Sequence, residues 1–171
     1  LQIGVVSGLG LLAVIVALIV VVRRLLSVPL AEAGQVARDV AAGRLDKPIS
    51  VRSVDEVGRL MGALQQMQAK LREIIAAQNE MSQRHAEGTI SHRIDASRFE
   101  GEFGTMVTGT NELVAAHIGV KMRMVDLVQR YADGDLSQPM EQLPGEKARI
   151  TEAVNGVRDR LQAINGEIKH L

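Results

Sequence analysis

The chain has no cysteine and no tryptophan, and only Phe99, Phe103 and Tyr131 carry aromatic rings among its 171 residues. Without thiols there can be no disulfide framework, thiolate metal site or cysteine chemistry. Aromatic side chains usually supply much of the buried area of a compact core, so a wide globular core is not expected. A chain rich in alanine, valine, leucine and glutamine instead suits thin helical bundles.

An excess of charge of either sign is also missing. The chain carries 20 basic and 20 acidic residues, and its formal net charge is zero. Proteins that bind nucleic acid present a basic surface to the phosphate backbone. We therefore expect no nucleic-acid partner.

The chain has one long apolar run, which lies at its beginning. Residues 1–22 are apolar except for Gln2 and Ser7, and about 20 such residues are enough to cross a bilayer as a helix. Arg23 and Arg24 follow at once, and basic flanks of this kind stay in the cytoplasm. A signal peptide would need a basic stretch before the run and a small-residue cleavage site after it. The sequence predicts a helix in the lipid bilayer, with the residues after 22 in the cytoplasm.

The remaining residues contain a repeat. Three strings read Ala-x-Gly-x-(Leu or Ile), and their glycines are Gly43, Gly88 and Gly134. Each glycine is followed by two apolar residues four positions apart, and then by an acid 12 to 14 residues after the glycine. The apolar pairs are Leu45 and Ile49, Ile90 and Ile94, and Leu136 and Met140; the acids are Glu56, Glu102 and Glu146.

Each repeat predicts a helix, an extended connector and a second helix. Glycine directly after a helical pattern is a helix stop, because it accepts the left-handed conformation. Pro48 and Pro139 favour extended backbone after two of the glycines, and Ser53 with Glu56 has the spacing of a capping box. A connector of about ten extended residues reaches roughly 33 Å, whereas a first helix of 15 residues is roughly 22 Å long. The connector can therefore return to the start, and the two helices can run parallel. The two apolar residues after each glycine would pin the connector against the bundle.

The helices carry heptad seams that continue from one repeat into the next. A sustained period of 3.5 residues indicates coiled-coil packing. Two helices cannot bury such seams alone, so we expect a parallel homodimer that forms four-helix bundles. The seam positions are Leu60, Leu64, Met67, Leu71, Ile74, Gln78, Met81 and His85; then Met106, Thr110, Leu113, His117, Val120, Met124, Leu127 and Tyr131; and finally Ile150, Val154, Val157, Leu161, Ile164, Ile168 and Leu171.

The first repeat resembles the HAMP domain of methyl-accepting chemotaxis proteins. The resemblance is carried by Val28-Pro29-Leu30, by residues 43–49 (GRLDKPI) and by residues 55–60 (DEVGRL). Residues from about 77 to 171 resemble the more divergent tandem HAMP units of some such receptors. Two departures are Arg93 in place of the connector proline and Ala148 in place of the glycine at positions 58 and 104.

The resemblance implies an all-α fold of one transmembrane helix followed by stacked parallel four-helix bundles. We divide the chain into a transmembrane helix, a joint between membrane and HAMP, and three units, the third continuing into an exit coiled coil. Because the chain begins at Leu1 and stops inside a helical pattern, we expect it to be part of a longer protein. The divisions are 1–22, 23–28, 29–76, 77–118 and 119–171.

The four histidines do not suggest a metal or haem site. No two lie three or four residues apart on one helix, and no cysteine is present to complete a site. His85 and His117 both occupy seam positions of the second unit, where a polar layer fixes register. A proton-sensing role is the alternative. The histidines are His85, His92, His117 and His170.

The polar seam of the second unit suggests a switch. Gln78, His85, Thr110 and His117 occupy core positions there, and buried polar groups without partners cost about 1–3 kcal/mol each. We therefore expect the second bundle to be the loosest and to hold two close-lying packings.

No catalytic arrangement can be made out, so we expect neither an enzyme nor a cofactor. The resemblance implies a signal relay of a bacterial chemoreceptor in the cytoplasmic membrane, acting through a later part of the protein on a histidine kinase and a coupling protein. It also implies that the acid opening each second helix clamps the first helix. The alternative is the HAMP relay of a sensor histidine kinase or nucleotide cyclase, and a purely structural coiled coil is a third possibility. Pro29, with Arg23 and Arg24 before it, marks the input joint, and because Pro29 cannot donate a backbone N–H we expect weak helicity there.

Overall fold

A computed structural model describes the backbone of residues 2–169 and the side chains of residues 10–168. His170 and Leu171, which the sequence placed in the histidine set and the last seam, lie outside these residues. The described backbone is helical with irregular connectors and contains no strand, so the predicted all-α class is confirmed. The helices are α1 (Gln2–Val22), α2 (Val28–Ala41), α3 (Glu56–Ala86), α4 (Gly101–Ala132) and α5 (Ala148–Lys169).

The chain divides into two compact units, Leu1–Gln83 and Arg84–Leu171. The first compact unit begins with α1, whose described side chains are all exposed. Within the described residues, one helical segment is long and apolar enough to cross a membrane, with a mean hydropathy of 2.6 and none of its apolar window buried. Apolar side chains of soluble proteins are mostly buried in the interior. Their exposure along α1 therefore fits the predicted transmembrane helix.

Glycine ends the helix before each connector. Gly43, Gly88 and Gly134 all have positive φ, at 72°, 95° and 88°, in agreement with the predicted helix stops. After the first of them, the backbone runs without regular structure to α3. The second and third connectors each end in a short 3₁₀ turn, at Ala96–Arg98 and Gly145–Lys147.

Contacts through the first connector show that α2 and α3 run parallel. Near the start of both helices, Ala33 and Met61 belong to one apolar cluster together with Ile49 of the connector. Further along both, Lys47 links Asp39 of α2 to Gln68 of α3: its ammonium group binds the Asp39 carboxylate and its carbonyl accepts the Gln68 amide. The two helices therefore advance in the same direction, as the connector length predicts.

The same arrangement holds α4 and α5 parallel in the second compact unit. At one level, Arg123 of α4 pairs with Glu141 of the connector, whose carbonyl accepts the hydroxyl of Thr151 on α5. At a later level, the Gln162 amide of α5 reaches the carbonyl of Leu136, close to the end of α4. The cluster between these levels contains Leu127, Tyr131, Met140, Leu143 and Val154.

The predicted boundaries between HAMP units fall inside single helices. The division at 76/77 lies within α3, and the division at 118/119 lies within α4. Each of these helices therefore closes one unit and opens the next without a break, as the continuous heptads predict.

Candidate signal-relay sites

The joint between α1 and α2 is a π-helix, Arg23–Ser27. Pro29 has no N–H to bond the Leu25 carbonyl, and its ring would collide with that carbonyl in a regular α-helix. The wider turn relieves the collision, and the N–H of Val28 bonds the Arg23 carbonyl five residues back. The weak helicity expected at Pro29 is thus expressed as a π-helical turn in a continuous helix. Such turns are frequent at functional sites.

Each connector is held to its unit by a buried apolar side chain six residues after the glycine. Ile49 is 7% exposed, Ile94 5% and Met140 3%. The apolar residue two positions after the glycine is less regular. Leu45 is buried and Leu136 is half-buried, but Ile90 is 41% exposed, so the expectation that it pins the second connector is wrong within one chain.

A side-chain amide from the second helix binds the backbone at these same buried connector residues. Asn111 bonds both polar backbone atoms of Ile94: its Oδ1 accepts the N–H at 3.1 Å and its Nδ2 donates to the carbonyl at 2.8 Å. Asn155 does the same to Met140, at 2.8 and 3.1 Å. A side-chain amide thus bonds the connector backbone much as a neighbouring strand would.

The first unit has a weaker version of this amide clamp. Gln65 donates one hydrogen bond, at 3.2 Å, to the carbonyl of Ile49. The buried Gln68 adds a bond of 2.9 Å to the carbonyl of Lys47. The first connector is therefore held at two carbonyls by single bonds, whereas each later connector is held at both backbone groups of one residue.

The carbonyl four residues after each glycine is bonded by a different side chain in each unit. In the first unit it belongs to Lys47 and accepts from Gln68 of the second helix. In the later units the partner comes from the first helix, three residues before the glycine. His85 bonds the His92 carbonyl through Nε2 at 2.9 Å, and Tyr131 bonds the Gln138 carbonyl at 2.8 Å. Because a carbonyl oxygen only accepts, Nε2 of His85 carries the hydrogen.

Charged pairs join the end of the first helix to the connector in the first and third units. Asp39 binds Arg44 at 2.6 Å and Lys47 at 2.9 Å. Arg130 binds Asp135 at 2.6 Å, with the same spacing around the glycine and the two charges exchanged. Hydrogen bonds from Lys47 and then Arg44 lower the pKa of Asp39 to about 2. Those from Ser137 and then Arg130 lower the pKa of Asp135 to about 2.

The predicted capping box at the start of α3 is wrong. Asp55 caps the helix instead, because its carboxylate accepts the N–H of Gly58 and the hydroxyl of Ser53. Glu56 is exposed and pairs with Arg59 on its own helix, at 2.9 Å. Glu102 and Glu146 are also exposed, near the starts of α4 and α5, where a negative charge complements the helix dipole. The sequence pattern shows a recurring acid at 56, and the cap is the residue before it.

A glycine is required where the connector meets the second helix in the first two units. A Cβ at Gly58 would lie 1.8 Å from the Ser53 carbonyl oxygen, and one at Gly104 would lie 2.6 Å from that of Phe99. The third unit has Ala148 at this place and begins with the 3₁₀ turn Gly145–Lys147 before α5. Its connector approaches the helix differently, which accommodates the methyl group.

The expected cost of polar seam groups in the second unit applies to the core of a dimer and stays a prediction for a single chain. No buried side-chain nitrogen or oxygen lacks a partner in the described part of the chain. His85 is bonded as above, and Thr110 donates to the carbonyl of Met106 on its own helix. His117 is exposed in a single chain. Within one chain, His85 and Thr110 of this seam make hydrogen bonds, while His117 stays exposed.

Three family models match successive stretches of the chain. The HAMP domain model matches residues 21–73, the model of the second HAMP domain of methyl-accepting chemotaxis protein McpB matches residues 64–116, and the model of HAMP N-terminal domain 3 matches residues 120–162. Together they extend over α2, α3, the three connectors, nearly all of α4 and most of α5.

A curated relative also matches most of the chain. The methyl-accepting chemotaxis protein McpB of Pseudomonas aeruginosa is 41% identical over 127 residues, which is 72% of this chain. The match takes in 19% of that relative, so the chain spans about a fifth of its length. The connectors that the structure shows docked on their helices lie within the three matched models.

Proposed function

The chain belongs to the HAMP family, as a tandem segment of the chemoreceptor type, and we propose on this premise that it is the membrane-proximal signal relay of a bacterial chemoreceptor. The observation that carries the proposal is the repeated connector: in each unit it returns along the second helix and is held there at the backbone by side-chain amides. A plain coiled-coil rod would not need three such connectors.

We propose that α1 spans the cytoplasmic membrane and that the HAMP units lie in the cytoplasm. The support is the exposed apolar surface of α1 and the two basic residues, Arg23 and Arg24, that follow it. Basic residues next to a span favour the cytoplasmic side. Input would then enter through the π-helical joint, which Pro29 separates from the regular turns of α2.

A second copy of the chain is the proposed partner of the helices, as in chemoreceptors generally. Many seam side chains remain exposed in one chain, whereas Met61 and Val107 beside them are buried. Between α4 and α5 this leaves an open apolar groove of about 370 Å³, lined by Met124, Val125 and Val157 among others. Exposed apolar area of this kind marks an interaction surface. The exposed seam residues are Leu60, Met67, Met106, Leu113, Val157, Ile164 and Ile168.

The proposed mechanism is a change in how the first and second helices of each unit pack. A connector clamped to the second helix moves with that helix, while its links to the first helix resist relative motion. These links differ between units: ion pairs of Asp39 in the first, His85 in the second, and both Arg130 and Tyr131 in the third. The units therefore have different resistance to the same displacement, which a multi-step relay requires.

The roles of individual residues remain part of this proposal. Pro29 sets the joint, while the connector glycines and buried connector residues position the connector, together with Leu45, Leu136 and the exposed Ile90. Glu56, Glu102 and Glu146 complement the dipoles of the second helices, and a clamp on the first helix would have to form in the dimer. His85 and His117 are seam residues of the second unit. Kinase and coupling-protein partners would be reached through the part of the receptor that follows the exit coiled coil.

The proposal is tested by replacing the HAMP segment of a characterised chemoreceptor with residues 23–171 of this chain. Attractant should still control the activity of the bound histidine kinase. The control is the same chimaera with one residue inserted between Arg24 and Val28, which rotates the joint by about 100° and should alter the output without unfolding the later units. Kinase activity that ignores attractant in both proteins contradicts the proposal. A response seen only when the segment is placed in a sensor kinase or cyclase favours the alternative output.

A further inference from the structure

A cavity lined by both apolar and charged side chains lies next to the π-helical joint, within the first compact unit. It has a volume of about 320 Å³ and is enclosed by the start of α2 on one side and the end of the first connector on the other. Its apolar lining includes Leu25, Val28 and Pro29. The relay mechanism above does not use this cavity.

Charged side chains of both signs line the cavity. Arg24 and Glu32 come from the helical side, and Arg52 and Asp55 come from the connector. The Asp55 carboxylate is already engaged by the Gly58 N–H and the Ser53 hydroxyl. Among the described residues, by contrast, Arg24, Arg52 and Glu32 form no ion pair with one another or with a neighbour. The cavity thus offers two free guanidinium groups and one free carboxylate.

The position of these groups relative to the bilayer points to their ligand. Arg24 is two residues past Val22, so it lies roughly 3 Å beyond the end of the apolar run at 1.5 Å per residue. The headgroup layer on each side of a bilayer is roughly 5–7 Å deep. Glu32 lies two turns further from the membrane, and because side chains on a helix lean towards its N-terminus, its carboxylate reaches back towards the headgroups.

We propose that this cavity binds the headgroup of an aminophospholipid, with the phosphate on Arg24 and Arg52 and the ammonium group on Glu32. Guanidinium groups bind phosphate oxygens through paired, charge-assisted hydrogen bonds. In a phosphoethanolamine headgroup the ammonium lies on the water side of the phosphate, which is the order of Arg24 and Glu32 along the helix. Leu25, Val28 and Pro29, which lie between Arg24 and Glu32 along the chain, would contact the two methylene groups that join the phosphate to the ammonium. The inference rests on the membrane placement proposed above.

A bound headgroup would join the two elements that form the cavity. Arg24 belongs to the π-helical joint, and Arg52 belongs to the connector that precedes α3. A lipid that bridges them ties the input helix to the connector and so biases the packing of the first unit. The composition of the membrane would then alter the resting output of the receptor.

The test uses the full-length receptor in nanodiscs that contain equal amounts of phosphatidylethanolamine, phosphatidylglycerol and phosphatidylcholine. Lipids that remain bound after release from the nanodisc are identified by native mass spectrometry. Phosphatidylethanolamine should be retained in preference to the other two, because choline cannot donate hydrogen bonds and glycerol carries no charge for Glu32. Arg52→Gln should lower retention about tenfold or more, the effect of losing a charge-assisted hydrogen bond. Glu32→Gln should abolish the preference over phosphatidylglycerol.

Arg72→Gln is the matched control, since Arg72 is an exposed arginine on α3 outside the cavity, and it should leave retention unchanged. Equal loss with Arg72→Gln, or no lipid preference in the unaltered receptor, contradicts the inference. Displacement of the lipid by an excess of inorganic phosphate would show a site for soluble anions and contradict it as well. A receptor that does not enter the nanodisc contradicts the membrane placement instead, so the two failures can be told apart.

Discussion

The amide clamps should stabilise the docked conformation of the connectors, and Asn155 allows this to be tested at one residue. Its side chain makes two hydrogen bonds to the backbone of Met140, whose side chain is 3% exposed. Asn155→Ala removes both bonds and leaves the N–H and carbonyl of a packed residue without their partner. Each hydrogen bond contributes about 0.5–1.5 kcal/mol, so the local cost is about 1–3 kcal/mol.

Native-state hydrogen exchange at the Met140 amide measures this cost directly. A local destabilisation of about 1–3 kcal/mol corresponds to exchange that is roughly 5- to 150-fold faster. The amides of the other two connectors should not change, because their clamps are separate side chains.

Asn165→Ala is the matched control on the same helix. Asn165 is exposed and has no partner within the described residues, so the substitution changes only helix propensity, which favours alanine by up to about 0.7 kcal/mol. Subtracting its effect removes the propensity difference from the Asn155 result. If both variants give the same exchange at Met140, the hydrogen bonds do not hold the connector and the clamp has no role in relay.

Three further predictions concern backbone, charge and assembly. Gly58→Ala should destabilise the first unit, because its Cβ meets the Ser53 carbonyl oxygen at 1.8 Å, whereas Gly62→Ala, with nothing within 4 Å, should stabilise α3 by about 0.5–1 kcal/mol in thermal unfolding. Asp39 has a folded-state pKa of about 2, below the usual 3.8, so its ion pairs stabilise the fold above about pH 4 and are lost as the pH falls towards 2. In acid titrations followed by circular dichroism, Asp39→Asn should weaken this dependence, of which Asp135 with its similarly low pKa keeps a part, and Asp46→Asn should leave it unchanged. A single cysteine at Ile164, which is 52% exposed in one chain, should form disulfide-linked dimers rapidly at low concentration; crosslinking that appears only at high concentration would contradict the parallel dimer.

The helices, their stops and the buried connector residues could be predicted from the sequence because they depend on local chemistry and period. Glycine after a helical pattern indicates a left-handed residue wherever it occurs, and Gly43, Gly88 and Gly134 all adopt one. Ile49, Ile94 and Met140 stand at a constant distance from those glycines, and all three are buried. Such features repeat with fixed spacing, so three copies reinforce one another.

The clamps were missed although their side chains repeat with fixed spacing. Gln65, Asn111 and Asn155 each follow the recurring acid of their repeat, Glu56, Glu102 or Glu146, by nine residues. An asparagine or glutamine on a helix is ordinarily a solvated residue, and only the folded connector shows which of them reaches a backbone carbonyl. The cap of α3 was missed for a related reason, since Ser53 and Glu56 have capping spacing but the carboxylate of Asp55 is nearer to the free N–H of Gly58.

The histidine of the second seam has a simpler explanation than either a register layer or a proton sensor. His85 stands three residues before Gly88, and Tyr131 stands three residues before Gly134; both donate to the carbonyl four residues after the glycine. A ring nitrogen in one unit and a phenol in the next therefore perform the same task, which is to close the helix end onto the connector. Protonation of His85 would leave Nε2 a donor, so this bond itself does not require a particular charge. The first unit has Val40 at the matching position and obtains its bond from Gln68 on the second helix instead. The first helix of that unit holds its connector through the ion pairs of Asp39 with Arg44 and Lys47, whereas the third unit combines the Arg130 ion pair with the Tyr131 hydrogen bond at the same helix end.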